Sequence, residues 1–250
     1  MICPSPTPQI MEFGSMPVNL EKVQSSAPGL VDLYKAAKVN LSKHGLDAER
    51  AAVYLVLDRS GSMRRYYKDG TVQHLAEQAL ALAANLDDDG VVPVIFFDTV
   101  AHPPVDVGLT DYEGRVNREH KRLKHMGTTN YAAAMQRVID HYAASGATDP
   151  AFVIFQTDGS PNSRSAAERI LCDAAKLPIF WQFVGFGDDE FTFLRKLDEL
   201  AVPQKRAVDN AGFVEAGQDP RAIGDAEFYG RLMGEFPQWL AVARAEGIVG

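Results

Sequence analysis

Apolar residues along the chain fall into two alternating kinds of segment. One kind is a short continuous run of aliphatic, β-branched and aromatic side chains: Ala52 to Leu57 (AVYLVL), Val91 to Phe97 (VVPVIFF), Ala151 to Thr157 (AFVIFQT) and Ile179 to Phe186 (IFWQFVGF). Runs of this length without polar alternation read as strands covered on both faces. The other kind repeats at three- and four-residue spacing. Val72, Leu75, Ala76, Ala79, Leu80, Ala83 and Leu86 share one helical face, and further helices are predicted at Asp111 to Lys121, Tyr131 to Ala144, Ser165 to Ala175, Asp189 to Leu200 and from about Asp219 to Ala245. A shorter strand is expected near Val100 and a last one near Gly212 and Phe213. Pro93 has no amide to give a ladder, so its strand is expected to be less central. The alternation predicts a doubly wound, Rossmann-like α/β sheet with helices on both faces, and ligand sites beyond the C-terminal strand ends where the winding reverses.

Three stretches are expected. Residues 1–17 are rich in Pro and Ser without a period and are expected to be flexible. Residues 18–49 read as an arm packed on the main domain, with Leu30, Leu33, Tyr34 and Ala37 on one helical stripe followed by a short alternating segment at Val39 and Leu41. Residues 50–250 form the main domain.

Composition narrows the picture. A hydrophobic content of 46% is ample for a core, and 25 basic against 33 acidic residues leave a charge of -8 that opposes binding to nucleic acid or anionic lipid. Neither is an expected partner. Cys3 and Cys172 suggest neither a disulfide framework nor a thiolate metal site, and fit a reducing cytoplasm. The first residues lack the basic and apolar regions of a secretory leader, and no apolar run reaches the roughly 18 to 20 residues of a membrane span.

The candidate chemistry lies at strand ends. Directly after the first strand, Asp58-Arg59-Ser60-Gly61-Ser62 carries a carboxylate and two hydroxyls at alternate positions, an oxygen-only set suited to Mg²⁺, Mn²⁺ or Ca²⁺, with Gly61 expected to ease a tight turn. Thr157-Asp158-Gly159 places a second acid at the end of a later buried run, and Gly127-Thr128-Thr129-Asn130 precedes a helix between them. Taken singly, each has an ordinary reading as a helix cap or turn residue. Jointly, DxSxS, GTTN and TDG at these places are improbable as coincidence.

These motifs resemble the von Willebrand factor A (vWA) domain, whose metal-ion-dependent adhesion site has a DxSxS loop, a threonine loop and an aspartate loop. More narrowly, LVDLYKAAKVNLSKHGL, LDRSGSM, GTTNYAAAM and VDNAGF resemble the TerF-type proteins of bacterial tellurium-resistance clusters. The resemblance implies a sheet of about six strands, mostly parallel with a short antiparallel edge strand. It implies a metal set of Asp58, Ser60, Ser62, Thr129 and Asp158, with Thr128 the alternative to Thr129, and a coordination position left for the carboxylate of an acidic protein partner. Mg²⁺ is the first expectation, with Mn²⁺ or Ca²⁺ open. A role in tellurite or chemical-stress resistance, as a binding module and not an enzyme, is likewise implied.

Several other groups carry charge or ligand chemistry. Arg59, Arg64, Arg65 and Lys68 either steer an acidic partner or form an ordinary solvated loop surface, and Asp98 is expected to face solvent. The histidines show no paired spacing for zinc; His125 alone lies near the threonine loop. Gly185-Phe186-Gly187 lacks a nucleotide fingerprint and, with the acids that follow, reads as a helix cap. A Mg²⁺-dependent phosphotransferase is the competing class, but the position at which a second acid assists is Ser60. No GxSxG elbow supports a serine hydrolase. A structural subunit with a purely stabilising metal is the third class.

Overall fold

The computed structural model describes residues 17–202 and 204–250. Six strands form one sheet in the order β3-β2-β1-β4-β5-β6: β1 (Ala52–Asp58), β2 (Val91–Phe97), β3 (Val105–Gly108), β4 (Ala151–Thr157), β5 (Ile179–Phe186) and β6 (Ala211–Gly217). All neighbours are parallel except β2 and β3. This is the doubly wound fold with an antiparallel edge strand. The winding reverses between β1 and β4, where Leu57 lies opposite Gln156.

Each strand divides its side chains between two cores. Val53, Leu55 and Leu57 join one core with the helices α1 (Leu20–Ser26), α2 (Val31–Lys43), α4 (Thr71–Leu86), α9 (Asp225–Leu232) and α10 (Phe236–Ala245). Tyr54 and Val56 join the other, with α6 (Tyr131–Ser145), α7 (Arg164–Ala174) and α8 (Thr192–Asp198). Burial on both faces explains why these strands are continuous apolar runs. Two short helices remain, α3 (Arg64–Lys68) and α5 (Arg115–Arg122).

Several elements differ from expectation. The segment at Val39 and Leu41 is the last part of α2: Leu41 continues the buried stripe of Leu33, Tyr34 and Ala37, while Val39 is 52% exposed. Apolar residues two apart mimic a strand when one of them faces solvent. The third strand begins at Val105, not near Val100, which is an exposed turn residue. Pro93 lies in β2, one place in from the sheet edge, opposite Asp106 of β3. The C-terminal segment is a 3-10 turn (Pro220–Ala222), α9 and α10; Gly234 separates the helices and Pro237 opens the second. α8 begins at Thr192, after Phe191 takes φ 49° and its amide bonds the Asp189 carboxylate at 2.6 Å.

The stripe of α1 and α2 shares the core beneath α4, and Tyr34 donates to the Val18 carbonyl at 2.9 Å. The expectation of a flexible stretch over residues 1–17 falls, except for Pro17, outside the described residues, as does Cys3. Cys172 is a free thiol. No described helix is long and apolar enough to cross a membrane.

Candidate metal centre

β1 and β4 are neighbours and parallel, so Asp58, the last residue of β1, and Asp158, just after β4, reach the same sheet edge at the switch point. Asp58 is fully buried. Its Oδ1 accepts from the Ser60 amide at 2.6 Å and its Oδ2 from the Thr157 hydroxyl at 2.6 Å. The Asp158 Oδ1 accepts from the Ser62 hydroxyl at 2.9 Å and from Ser60 at 3.4 Å, and the two serine oxygens lie 3.1 Å apart. Four of the five expected residues are therefore drawn together by direct contacts.

The threonine loop joins from the side. Ser60 forms a parallel bridge with Gly127, and the Gly61 amide donates to the Gly127 carbonyl at 3.3 Å. Gly127 has to be glycine, because a Cβ there would lie 2.5 Å from the Thr99 hydroxyl. Gly61 does not: its φ is not left-handed and a Cβ would meet nothing within 4 Å. The ease of turning expected there is supplied by a 3-10 turn, Gly61–Met63. The Thr128 hydroxyl contacts Thr99 at 3.1 Å and accepts from Asn162 at 2.8 Å. Thr129 is held by its backbone, its amide donating to Asn162 Oδ1 at 3.1 Å and its carbonyl accepting from the Asn162 amide at 2.8 Å. No protein hydrogen bond engages the Thr129 hydroxyl among the described residues. Asn130 caps α6 through Ala133.

Electrostatics set the demand at the centre. Burial, opposed by the Thr157 and Ser60 hydrogen bonds, pushes the Asp58 carboxyl up to about 7, and the charge of Asp158 adds to the rise. Asp158 is also raised by burial, with the serine hydroxyls and then Arg65 opposing. Neither acid forms an ion pair among the described residues. Two convergent carboxylates and nearby hydroxyls, all oxygen, are the donor chemistry of a hard dication. Among the described residues no group of three or more His, Cys, Asp or Glu is placed to hold a metal ion, so the centre rests on two acids and on hydroxyls.

Two expectations are corrected. Arg59 is not a surface charge: it is fully buried and pairs with Asp98 at 2.8 Å. Asp98 is correspondingly buried, not solvent-facing, and also contacts His102 at 3.2 Å. His125 is exposed, whereas His120 lies against the loop, accepting from Arg59 Nε at 3.3 Å and stacking on Tyr67 at 4.0 Å. Burial and the Arg59 charge depress His120 to about 4, so it is neutral. Tyr67 closes this ring by donating to the Asp58 carbonyl at 2.9 Å. Tyr131 donates at 3.0 Å to the Thr157 hydroxyl that itself serves Asp58, and also contacts the Gly159 carbonyl. The supports Thr157, Tyr131, Asn162, Tyr67 and His120 come from scattered positions; only Thr157, next to Asp158 at a strand end, carried any signal.

A cavity of about 340 Å³ opens beside the centre, lined by Ser62, Arg65, Tyr66, Asp158, Phe186, Gly187, Asp188 and Asp189. The Gly185–Gly187 strand end thus borders the centre as well as leading into α8.

Comparison with known proteins bears on the family and the fold. A family model described as the vWA found in the TerF C terminus matches residues 50–249. The chain is 38% identical over 224 residues to the uncharacterized protein YcbR of Bacillus subtilis (strain 168), covering 88% of this chain and 90% of that one. Among solved structures it is similar to a von Willebrand factor type A protein from Catenulispora acidiphila, at 19% identity and TM-score 0.51, over 75% of this chain and 43% of that one. It is also similar to proximal thread matrix protein 1 from the mussel byssus, at 14% identity and TM-score 0.51, over 74% of this chain and 48% of that one. The chain spans less than half the length of either, and at these identities the likeness is one of fold.

Proposed function

Because this chain belongs to the vWA-TerF-like family, we propose that Asp58, Ser60, Ser62, Thr129 and Asp158 hold a divalent cation through which the protein binds a carboxylate of an acidic protein partner. The observation that carries this reading is the meeting of two carboxylates without an ion pair, Asp58 and Asp158, with the hydroxyls of Ser60 and Ser62. Thr129 is preferred to Thr128 because the Thr128 hydroxyl is already engaged by Thr99 and Asn162. Mg²⁺ is the first choice of ion. When bound, the ion supplies a positive centre that two carboxylates about neutralise, leaving attraction for one further anionic oxygen.

The chain's own residues do the rest. Thr157 and Tyr131 hold Asp58 from behind, the ring of Arg59, Asp98, His120 and Tyr67 fixes the loop, and Arg65 brings positive charge to the mouth. Asp188 and Asp189 at the same mouth disfavour partners whose acid is flanked by further acids. The donors serve binding and not turnover: the place of an assisting second acid is Ser60. By family resemblance the reading extends to resistance against tellurite or related chemical stress, which a strain lacking the gene tests when complemented with wild type and with Asp158→Ala.

The direct test is thermal unfolding after chelation. Mg²⁺ or Mn²⁺ should raise the Tm of wild type and leave Asp158→Ala unmoved, and an immobilised acidic peptide should be retained with the ion, released by chelator, and ignored as its Gln counterpart. An equal metal-induced shift in Asp158→Ala sinks the ligand set.

A further inference from the structure

The rim of the metal centre changes sign from one side to the other. On the β5 side stand Asp188 and Asp189, which disfavour flanking acids there. On the β2 side α3 and α5 meet: Tyr67 stacks on His120, and His120 accepts from Arg59, whose guanidinium pairs with Asp98 just after β2. Burial and then the charge of Arg59 depress His120 most, and Arg64 and Lys121 add to the effect, so both stand close to that ring. Lys124 follows, three residues before the Gly127 that bridges Ser60.

These cations are not absorbed by the fold. Residues 115–125 (RVNREHKRLKH) hold five lysines and arginines against one acid, although the chain as a whole carries -8. That acid, Glu119, pairs with Arg115 and Arg122. The Arg118 guanidinium is taken by the carbonyls of Asp111 and Glu113. Arg64, Lys121 and Lys124 are exposed, and their side chains make no hydrogen bond or ion pair among the described residues.

Lys121 also offsets the negative end of α5, as cations in a last helical turn do. Lys124 stands beyond the helix. It follows the C-cap Leu123 with φ 58°, a left-handed conformation in which a Cβ is strained and glycine is the usual residue. A charged side chain on a strained backbone, exposed and unpartnered beside the metal centre, points to use by a ligand.

We propose that Arg64, Lys121 and Lys124 receive a second carboxylate of the acidic protein segment whose first carboxylate completes the metal shell. This inference rests on the metal-binding reading above. Ser60 and Gly127 are paired at the roughly 5 Å spacing of neighbouring strands. Lys124 lies at most about 10 Å further along the chain, so an extended partner reaches it within about two to four residues. A nucleic-acid strand, charged at every residue, would run on over Asp188 and Asp189 and is disfavoured. A segment with acids on one side alone of the metal-bound residue suits both sides of the rim.

The full chain with Mg²⁺ is titrated at low salt against labelled Gly/Ser peptides, with fluorescence anisotropy as the readout. One peptide has a central Asp only, one a further Asp three residues before it, and one a further Asp three residues after it. At least one two-acid peptide should bind about fivefold tighter than the single-acid peptide, and the gain should fall below about twofold at about 0.5 M salt. Arg64→Gln with Lys121→Gln, and Lys124→Gly separately, should each cut that ratio at least about twofold. Lys124→Gly relieves the backbone and should not lower Tm. Chelator separates the two readings. If the single-acid peptide binds only with Mg²⁺ and the second acid adds nothing, this surface is refuted and the metal centre stands. If two-acid peptides bind equally with chelator and lose affinity in the variants, the surface stands and the metal reading falls. No binding of any peptide overturns both. An undiminished ratio in both variants, or tighter binding of a single-stranded oligonucleotide than of either two-acid peptide, overturns the proposal.

Discussion

Asp58 has a burden that no single neighbour removes. Its carboxyl stands at about 7 in the fold against an ordinary 3.8, with burial the main cause. Between these values the folded chain holds a proton that the unfolded chain has released. Stability without metal is therefore fully present below about pH 4 as far as Asp58 is concerned, and is lost as pH rises through about 7. Denaturant unfolding of the chelated protein should show this fall, and Asp58→Asn should flatten it; an unchanged slope in the variant would assign the dependence to other groups. A bound dication displaces the same proton, so Mg²⁺ affinity should rise from pH 5.5 to pH 8, as calorimetry measures. Arg59 carries the opposite lesson. Its pair with Asp98 is buried, so Arg59→Ala strands a carboxylate and should cost about 3–5 kcal/mol. Exposed Arg65→Ala should cost within about 0.5 kcal/mol. Urea midpoints decide between a structural and a surface role for each.

At the scale of elements, the centre is the meeting of a strand-end loop with two loops from elsewhere in the chain. The Ser60–Gly127 bridge joins the first to the second, and the Asn162 contacts join the second to the third. Gly127→Ala drives a Cβ toward Thr99 and should destabilise by about 1–3 kcal/mol as an overpacking change, with weaker metal binding. Gly61→Ala should leave stability and metal binding near wild type. If the two behave alike in chemical unfolding and metal titration, the close approach at Gly127 is not what holds the loops. The strands and long helices were legible because their apolar periods are imposed by burial. The boundaries that failed did so for local reasons. An exposed Val39 imitated alternation, and the break between α9 and α10 came at a glycine inside an otherwise helical pattern.

The whole molecule joins the N-terminal helices to the domain through one core. Val23, Leu30, Leu33, Tyr34, Ala37 and Leu41 are buried in the same cluster as Leu55 and Leu80. At about 1.5–3 kcal/mol for each larger apolar side chain, their burial rivals the roughly 5–15 kcal/mol by which a domain is stable. Deleting residues 1–49 should abolish cooperative thermal unfolding and expose dye-binding apolar surface. A truncated chain that melts as sharply as wild type would show the helices to be an accessory.

By itself the sequence determined the alternation of strands and helices, hence a covered, doubly wound sheet, and the presence of acids and hydroxyls at strand ends. These are local properties: a period of burial and the residue that follows it. Strand order, the approach of Asp58 to Asp158, and the inward turn of Arg59 were decided only by tertiary structure. They depend on which strands become neighbours, and on whether a charge finds its partner far along the chain. The pair Arg59 and Asp98 shows the limit: alone, each is a surface residue by type, and only their meeting at 2.8 Å makes burial tolerable for both.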